Sequence, residues 1–83
     1  MTLLYFAWVR QKLGRSEEQM DVPPNVKTIA DLVAHLRTRG GGYAEAFADS
    51  KRLRAAVNQE HVGFDAPISA NDEIAFFPPV TGG

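Results

Sequence analysis

One apolar stripe restricts this sequence more than any other feature. Ile29, Leu32, Val33 and Leu36 recur at i, i+3, i+4 and i+7, which is one face of a helix. The flanks agree. Thr28 is a good N-cap residue, and Asp31 stands three positions later, as in a capping box with Asp in place of Glu. Arg37 and Arg39 suit a last turn, where positive charge meets the helix dipole, and Gly40-Gly41-Gly42 stops the helix. The pattern predicts a helix over 29–39. Its stripe has to be covered within a chain of 83 residues whose other segments are short. A sheet face is the only large partner available.

The strands for that sheet can be placed. Residues 3–7 are apolar and aromatic and read as a first strand, followed by a short helical turn over 8–13 that Gly14 ends. Glu18, Met20 and Val22 alternate with Glu17, Gln19 and Asp21, a half-exposed second strand stopped by Pro23-Pro24. Beyond the main helix, 43–48 reads as a second short helix and 53–58 as a third strand. A turn at 58–60 leads to a short strand over 61–64, and Glu73 to Phe77 forms the last strand before Pro78-Pro79. Strand, strand, helix, strand, short strand, strand is the order of an α+β, β-grasp fold. It gives a mixed sheet of about five strands on one main helix, with the first and last strands side by side. Residues 1–77 form this domain, and 78–83 a flexible, extended C-terminal tail.

Strand alternation says which residues look away from the helix. Thr2, Leu4 and Phe6 share one face of the first strand, and Glu73, Ala75 and Phe77 one face of the last. The polar members mark that face as the outer one. Leu4, Phe6 and Phe77 are then expected to point outward together. Burying an aromatic side chain is worth roughly 1.5–3 kcal/mol, so leaving two exposed points to a protein-binding patch.

Composition narrows the function classes. An 83-residue domain has a thin core, which favours work at a surface, at a terminus or inside a partner. Nine basic against ten acidic residues give a formal net charge of −1, with no basic stripe for nucleic acid. The longest apolar run, Leu3 to Val9, is far short of a membrane span, and no basic segment precedes it as in a secretory signal. A cytoplasmic protein is expected. There is no cysteine, so disulfides, thiolate metal sites and cysteine nucleophiles are excluded.

Side-chain chemistry is hard to find. His35 and His61 have no acidic or histidine neighbours at ligand spacing, and Glu17-Glu18 reads as a solvated strand start. Gly40-Gly41-Gly42 follows a helix and does not open one, so it presents no helix N-terminus to a phosphate. Ser16, Ser50 and Ser69 have no recognisable base. No metal or cofactor is expected to bind stably.

The end of the sequence differs from the rest. Pro78-Pro79-Val80-Thr81-Gly82-Gly83 follows a core strand directly and could reach roughly 20 Å when extended. The prolines stiffen its base. Gly82 and Gly83 have no side chains and could enter a narrow channel in another protein. A terminal carboxylate on Gly83 is ionised at neutral pH, its ordinary pKa being about 3.3–3.7. Attack on the α-phosphate of ATP would turn it into an acyl adenylate, which a sulfur or nitrogen nucleophile can open. The residues alone leave open whether this segment is a reactant or an inert extension.

Phe76-Phe77-Pro78-Pro79-Val80-Thr81-Gly82-Gly83, with Asp72-Glu73 before it, Ala56-Val57-Asn58-Gln59 upstream, and Tyr5-Phe6-Ala7 followed by Val9-Arg10, resembles the ubiquitin-like sulfur-carrier family, in its molybdopterin synthase small-subunit branch. The resemblance spans essentially the whole chain. It implies that Gly83 is adenylated by a ubiquitin-activating-enzyme-like adenylyltransferase using ATP and magnesium, and converted to a thiocarboxylate by a sulfur donor enzyme. It also implies that the tail inserts into the large subunit of a heterotetramer of two large and two small subunits. There sulfur passes to cyclic pyranopterin monophosphate, and the large subunit supplies the catalytic side chains. Leu4, Phe6, Phe77, Pro78, Pro79, Val80, Thr81, Gly82 and Gly83 are the implied partner contacts. His61 joins them at a position where family members often carry an apolar residue. Neighbouring readings are a carrier for thiamine thiazole or another thiolation, a protein modifier joined through Gly83, and a β-grasp interaction module with an inert tail.

Overall fold

The computed structural model describes residues 1–79. Five strands form one sheet in the order β2-β1-β5-β3-β4. In chain order the elements are β1 (Thr2–Tyr5), α1 (Ala7–Leu13), β2 (Glu17–Gln19), α2 (Ile29–Arg37) and α3 (Gly41–Ala46). A 3₁₀ turn (Ser50–Arg52), β3 (Arg54–Val57), β4 (Glu60–Val62) and β5 (Glu73–Phe77) follow. β1 and β5 lie side by side and parallel at the centre, and every other pairing is antiparallel. This is the expected β-grasp arrangement.

α2 forms where its stripe predicts. Ile29, Leu32, Val33 and Leu36 are all buried. The capping box is complete, with the Asp31 N–H donating to Thr28 Oγ1 at 3.2 Å and the Thr28 N–H to Asp31 Oδ2 at 3.2 Å. A further donation from the Lys27 N–H, together with those from Thr28, holds the Asp31 carboxyl below its usual range. The helix ends at Arg37, two residues earlier than expected, because Gly40 at φ +72° turns the chain. The glycine run does more than stop α2. Gly41 and Gly42 open α3, contrary to the expectation that the run only follows a helix, and α3 spans 41–46 where the sequence predicted 43–48. A Cβ on Gly42 would meet the Lys12 carbonyl oxygen at 2.2 Å, so glycine there allows α3 to lie against the end of α1.

The inner face of the sheet meets α2 through Leu3, Tyr5, Ala55, Ile74 and Phe76, all buried. Tyr5 stacks on Phe76 at 6.4 Å between centroids, and Phe47 meets Phe76 edge-on at 5.0 Å. β1 ends at Tyr5, two residues short of the predicted end. The Phe6 N–H still donates to the Phe76 carbonyl, but Ala7 at φ +54° swings the chain into α1. β2 is confined to 17–19, β3 loses one residue at each end, and β4 starts one residue earlier than expected and ends two earlier. The turn between them is the two residues Asn58 and Gln59, both at positive φ, as a tight hairpin requires. Asn58 also ties this turn to the start of β5, donating to Asp72 Oδ1 and accepting from the Glu73 N–H, each at 3.0 Å. β5 spans the predicted residues, with Pro78 and Pro79 beyond it. No helix among the described residues is long and apolar enough to cross a membrane.

Candidate functional site

Among the described residues the outer face of the sheet carries no helix of its own. Its residues follow from the register: Leu4 pairs with Ala75, Ala75 with Ala56, Ala56 with His61, and Arg54 with Phe77. Every pair belongs to the alternation opposite Leu3, Tyr5, Ile74 and Phe76. The outward parity expected of Leu4 and Phe77 is therefore observed, and both are half-buried. Two alanines at the centre make a flat floor, with larger side chains around it. Thr2 and Glu73 pair at the far end of the face and give it a polar border.

Phe6 is the largest departure from ordinary burial. It is 46% exposed, and among the described residues it is the one large hydrophobic side chain classed as exposed. It does not belong to a strand, as the sequence suggested, but precedes α1 as its N-cap residue. Its backbone stays fixed to β5 by the bond to Phe76, so the ring stands off the end of β1 without losing its anchor.

His61 is exposed on β4, and its ring lies 5.0 Å from that of Phe77 at a 47° tilt. Sequence spacing shows only that it lacks acidic or histidine neighbours at ligand spacing. The strand order brings it beside Phe77 from sixteen positions away, through β3. The structure thus gathers Leu4, His61 and Phe77 on one face, with Phe6 at its end and half-buried Pro78 and Pro79 following Phe77. Val80, Thr81, Gly82 and Gly83, including the expected reactive carboxylate, lie outside the described residues.

One expectation is overturned. Glu18 is not solvated: its side chain is only 9% exposed and accepts from four others. Tyr5 OH and Arg39 Nη1 each donate to Oε1 at 2.7 Å, Tyr43 OH reaches both oxygens at 3.1 Å, and Arg15 Nη1 donates to Oε2. Burial pushes the carboxyl upward in pKa, but the donations from Tyr5, Arg39 and Tyr43 outweigh it and leave Glu18 below its usual range. Burial first, and then the bond to Glu18, push the Tyr5 phenol well above its usual range. Arg39 lies over the Tyr43 ring at 4.8 Å. The cluster pins the edge strand β2 to the α2–α3 junction. The alternation already held the clue, since Glu18 shares its parity with Met20 and Val22, both packed against the core.

With this geometry in hand, comparison places the chain among known proteins. It is 43% identical over 81 residues to the molybdopterin synthase sulfur carrier subunit of Escherichia coli (strain K12), covering 98% of this chain and 96% of that one. It is 35% identical over 83 residues to the protein of the same name in Haemophilus influenzae, covering 100% and 99%. A solved structure from Pyrococcus furiosus, described as a molybdopterin converting factor subunit 1, superposes with a TM-score of 0.74 at 28% identity, covering 95% of each chain. The resemblance stated from the terminal motif is borne out. Residues 3–83 match the ThiS family, and the chain belongs to it.

Proposed function

We propose that the chain is the sulfur-carrier subunit of a molybdopterin synthase, and that its reactive group is the Gly83 carboxylate. The observation that carries this reading is the outer face. Half-buried Leu4 and Phe77 share a face with the exposed His61 ring; among the described residues no element covers it, and it runs directly into Pro78 and Pro79. A surface at the root of a delivery arm lets a partner hold the body while the arm enters it. The relatives that share this sequence along nearly its full length carry the corresponding name.

The chemistry needs little from this chain beyond its terminus. An adenylyltransferase would use ATP and magnesium, with the Gly83 carboxylate attacking the α-phosphate and pyrophosphate leaving. A sulfur donor would open the mixed anhydride, releasing AMP and leaving a thiocarboxylate. Glycines at the last two positions keep the carbonyl unhindered, and the absence of cysteine removes an internal thiol that could attack the adenylate. The body would dock on the large subunit through the outer face, and sulfur would pass to cyclic pyranopterin monophosphate in the large subunit's site. Two such transfers would supply the two sulfurs of a dithiolene, and the assembly would be a large-subunit dimer with one carrier at each end. All of this is cytoplasmic chemistry. The Phe76-Phe77-Pro78-Pro79 approach to the glycines favours this branch over a carrier for thiamine thiazole.

The test is intact mass after incubation with ATP, magnesium, sulfide and the adenylating enzyme. A gain equal to exchange of one oxygen for sulfur, lost on deletion of Gly83, is the expected result. No mass change with any adenylating partner would remove the carrier reading. Co-purification with the large subunit, weakened by Phe77→Asp in a folded protein, tests the docking face.

A further inference from the structure

Unpaired positive charge is concentrated where the C-terminal segment leaves the sheet, and the apolar face does not account for it. β3 runs antiparallel to β5, so its first residue, Arg54, pairs with Phe77, the last residue of β5. The 3₁₀ turn just before β3 adds Lys51 and Arg52. Arg52 lies over the Trp8 ring, 4.9 Å from its centroid, which ties this segment to the start of α1. Arg54 Nη1 donates to the Leu53 carbonyl at 2.8 Å. All three residues are exposed.

Among the described residues none of these three cations is part of an ion pair; the ion pairs engage Lys12, Arg15 and Arg39. Asp49, the one carboxylate between 49 and 54, accepts the Lys51 backbone N–H at 3.0 Å and serves as a cap. Glu73 and Glu60 begin β5 and β4, away from the Phe77 end of β5. Asp65 is nearer, its carboxylate turned toward Gly63 just beyond β4, but it forms no ion pair with Arg54. Glu17 is on β2, three strands from Arg54. That is about 14 Å at the usual strand spacing, more than a Debye length at physiological salt. The formal net charge is only −1, so the cluster is a matter of placement and not of composition.

The apolar face leaves a problem that this charge could solve. A flat floor of Ala56 and Ala75 between Leu4 and Phe77 gives area but little to fix rotation about its normal. A delivery arm must point one way. Charges at one end of such a face set orientation and speed encounter, more than they add affinity. Two of the three are partly held already, Arg52 by Trp8 and Arg54 by Leu53, so less side-chain freedom is lost on docking.

We propose that Lys51, Arg52 and Arg54 form a cationic collar that docks against an acidic protein surface bordering the opening that receives the tail. This rests on the carrier reading, and the probe is the molybdopterin synthase large subunit. Association and dissociation rates are measured at low and high salt. R52E/R54E should slow association at low salt by about tenfold or more, with dissociation changed less and the difference fading as salt rises. R52K/R54K should restore most of the rate. K51E/R54E leaves Arg52 on Trp8 and should act in the same direction, which separates charge from any loosening of α1; thermal melts check that each variant is folded. If R52E/R54E associates like the parent protein at low salt while Phe77→Asp abolishes binding, the collar is wrong and the docking face stands. If the parent protein itself does not bind the large subunit, the carrier reading fails and the collar falls with it.

Discussion

Phe76 and Phe77 are consecutive in one strand and differ only in the face they occupy. Phe76 is fully buried between Tyr5 and Phe47, whereas Phe77 is half-buried with one aromatic neighbour, His61. The same contrast runs along β1, where Leu3 and Tyr5 are buried and Leu4 is not. The inner face is closed on itself. Even its one charged group at the edge, Glu18, has all its partners within the chain. The outer face has an apolar centre inside a polar border, and among the described residues nothing covers it. A small domain can leave such a surface open only if stability is secured elsewhere, so mutations on the two faces should have separable effects.

The largest separation is expected at this aromatic pair. Phe76→Ala removes a fully buried ring and should cost about 3–5 kcal/mol, a large share of the stability of a domain this small. Phe77→Ala should stay within about 1 kcal/mol of the parent protein and lose binding to the large subunit. Denaturant titration of both variants, beside a binding measurement, tests the contrast. Equal loss of stability at both positions would mean that Phe77 is core and that the sheet has no free face.

Glu18 comes next. Glu18→Ala strips Tyr5 and Arg39 of their acceptor in a mostly buried place and should cost about 2–3 kcal/mol. Its pH signature is specific. Because the folded-state pKa of Glu18 is depressed, its contribution is present above the ordinary carboxylate range, near about 4.3. It is lost as pH falls through the lower folded value. The parent protein should therefore shed stability on acidification more steeply than Glu18→Gln. Parallel acid profiles would show that the cluster contributes nothing through its charge.

How far the sequence revealed all this depends on the range of the signal. The α2 stripe, its capping box and the limits of β5 are local patterns, and they were legible to the residue or nearly so. The outward parity of Leu4 and Phe77 needed only the period of two. Strand ends were less legible because tertiary geometry cuts them: nothing local announces that Ala7 takes a positive φ and ends β1. The burial of Glu18 is hidden in the sequence because two adjacent glutamates look solvated. Its partners lie at Tyr5, Arg39 and Tyr43, brought together only by folding. His61 met Phe77 for the same reason, through the strand order and not through spacing. Gly42 looks like part of a stop signal in the sequence, and its role in admitting the Lys12 carbonyl is visible only in three dimensions.

That glycine supplies a further test of separability. A methyl group there would collide with backbone, not with a side chain that could swing away. Gly42→Ala should cost about 2 kcal/mol by forcing α3 from α1, despite the higher helix propensity of alanine. The contact lies away from the outer face, so a folded Gly42→Ala protein should bind the large subunit like the parent. A stabilised variant would mean that the two helices can part freely.

The smallest effect is expected at Thr28, and it bears most finely on the division between the faces. The Thr28 hydroxyl accepts the Asp31 N–H, and Asp31 in turn accepts the N–H groups of Lys27 and Thr28. Thr28→Ala removes the first of these bonds and leaves the other two. The Asp31 N–H it releases lies at an exposed helix start, where water can replace the lost acceptor. The cost should be about 1 kcal/mol, the middle of the range for such caps, measured as a lower denaturation midpoint with unchanged slope. α2 covers only the inner face, so affinity for the large subunit should stay level once the folded fraction is accounted for. Any further loss of binding would mean that loosening α2 reaches through the sheet to Leu4 and Phe77, and that the two faces are one cooperative unit.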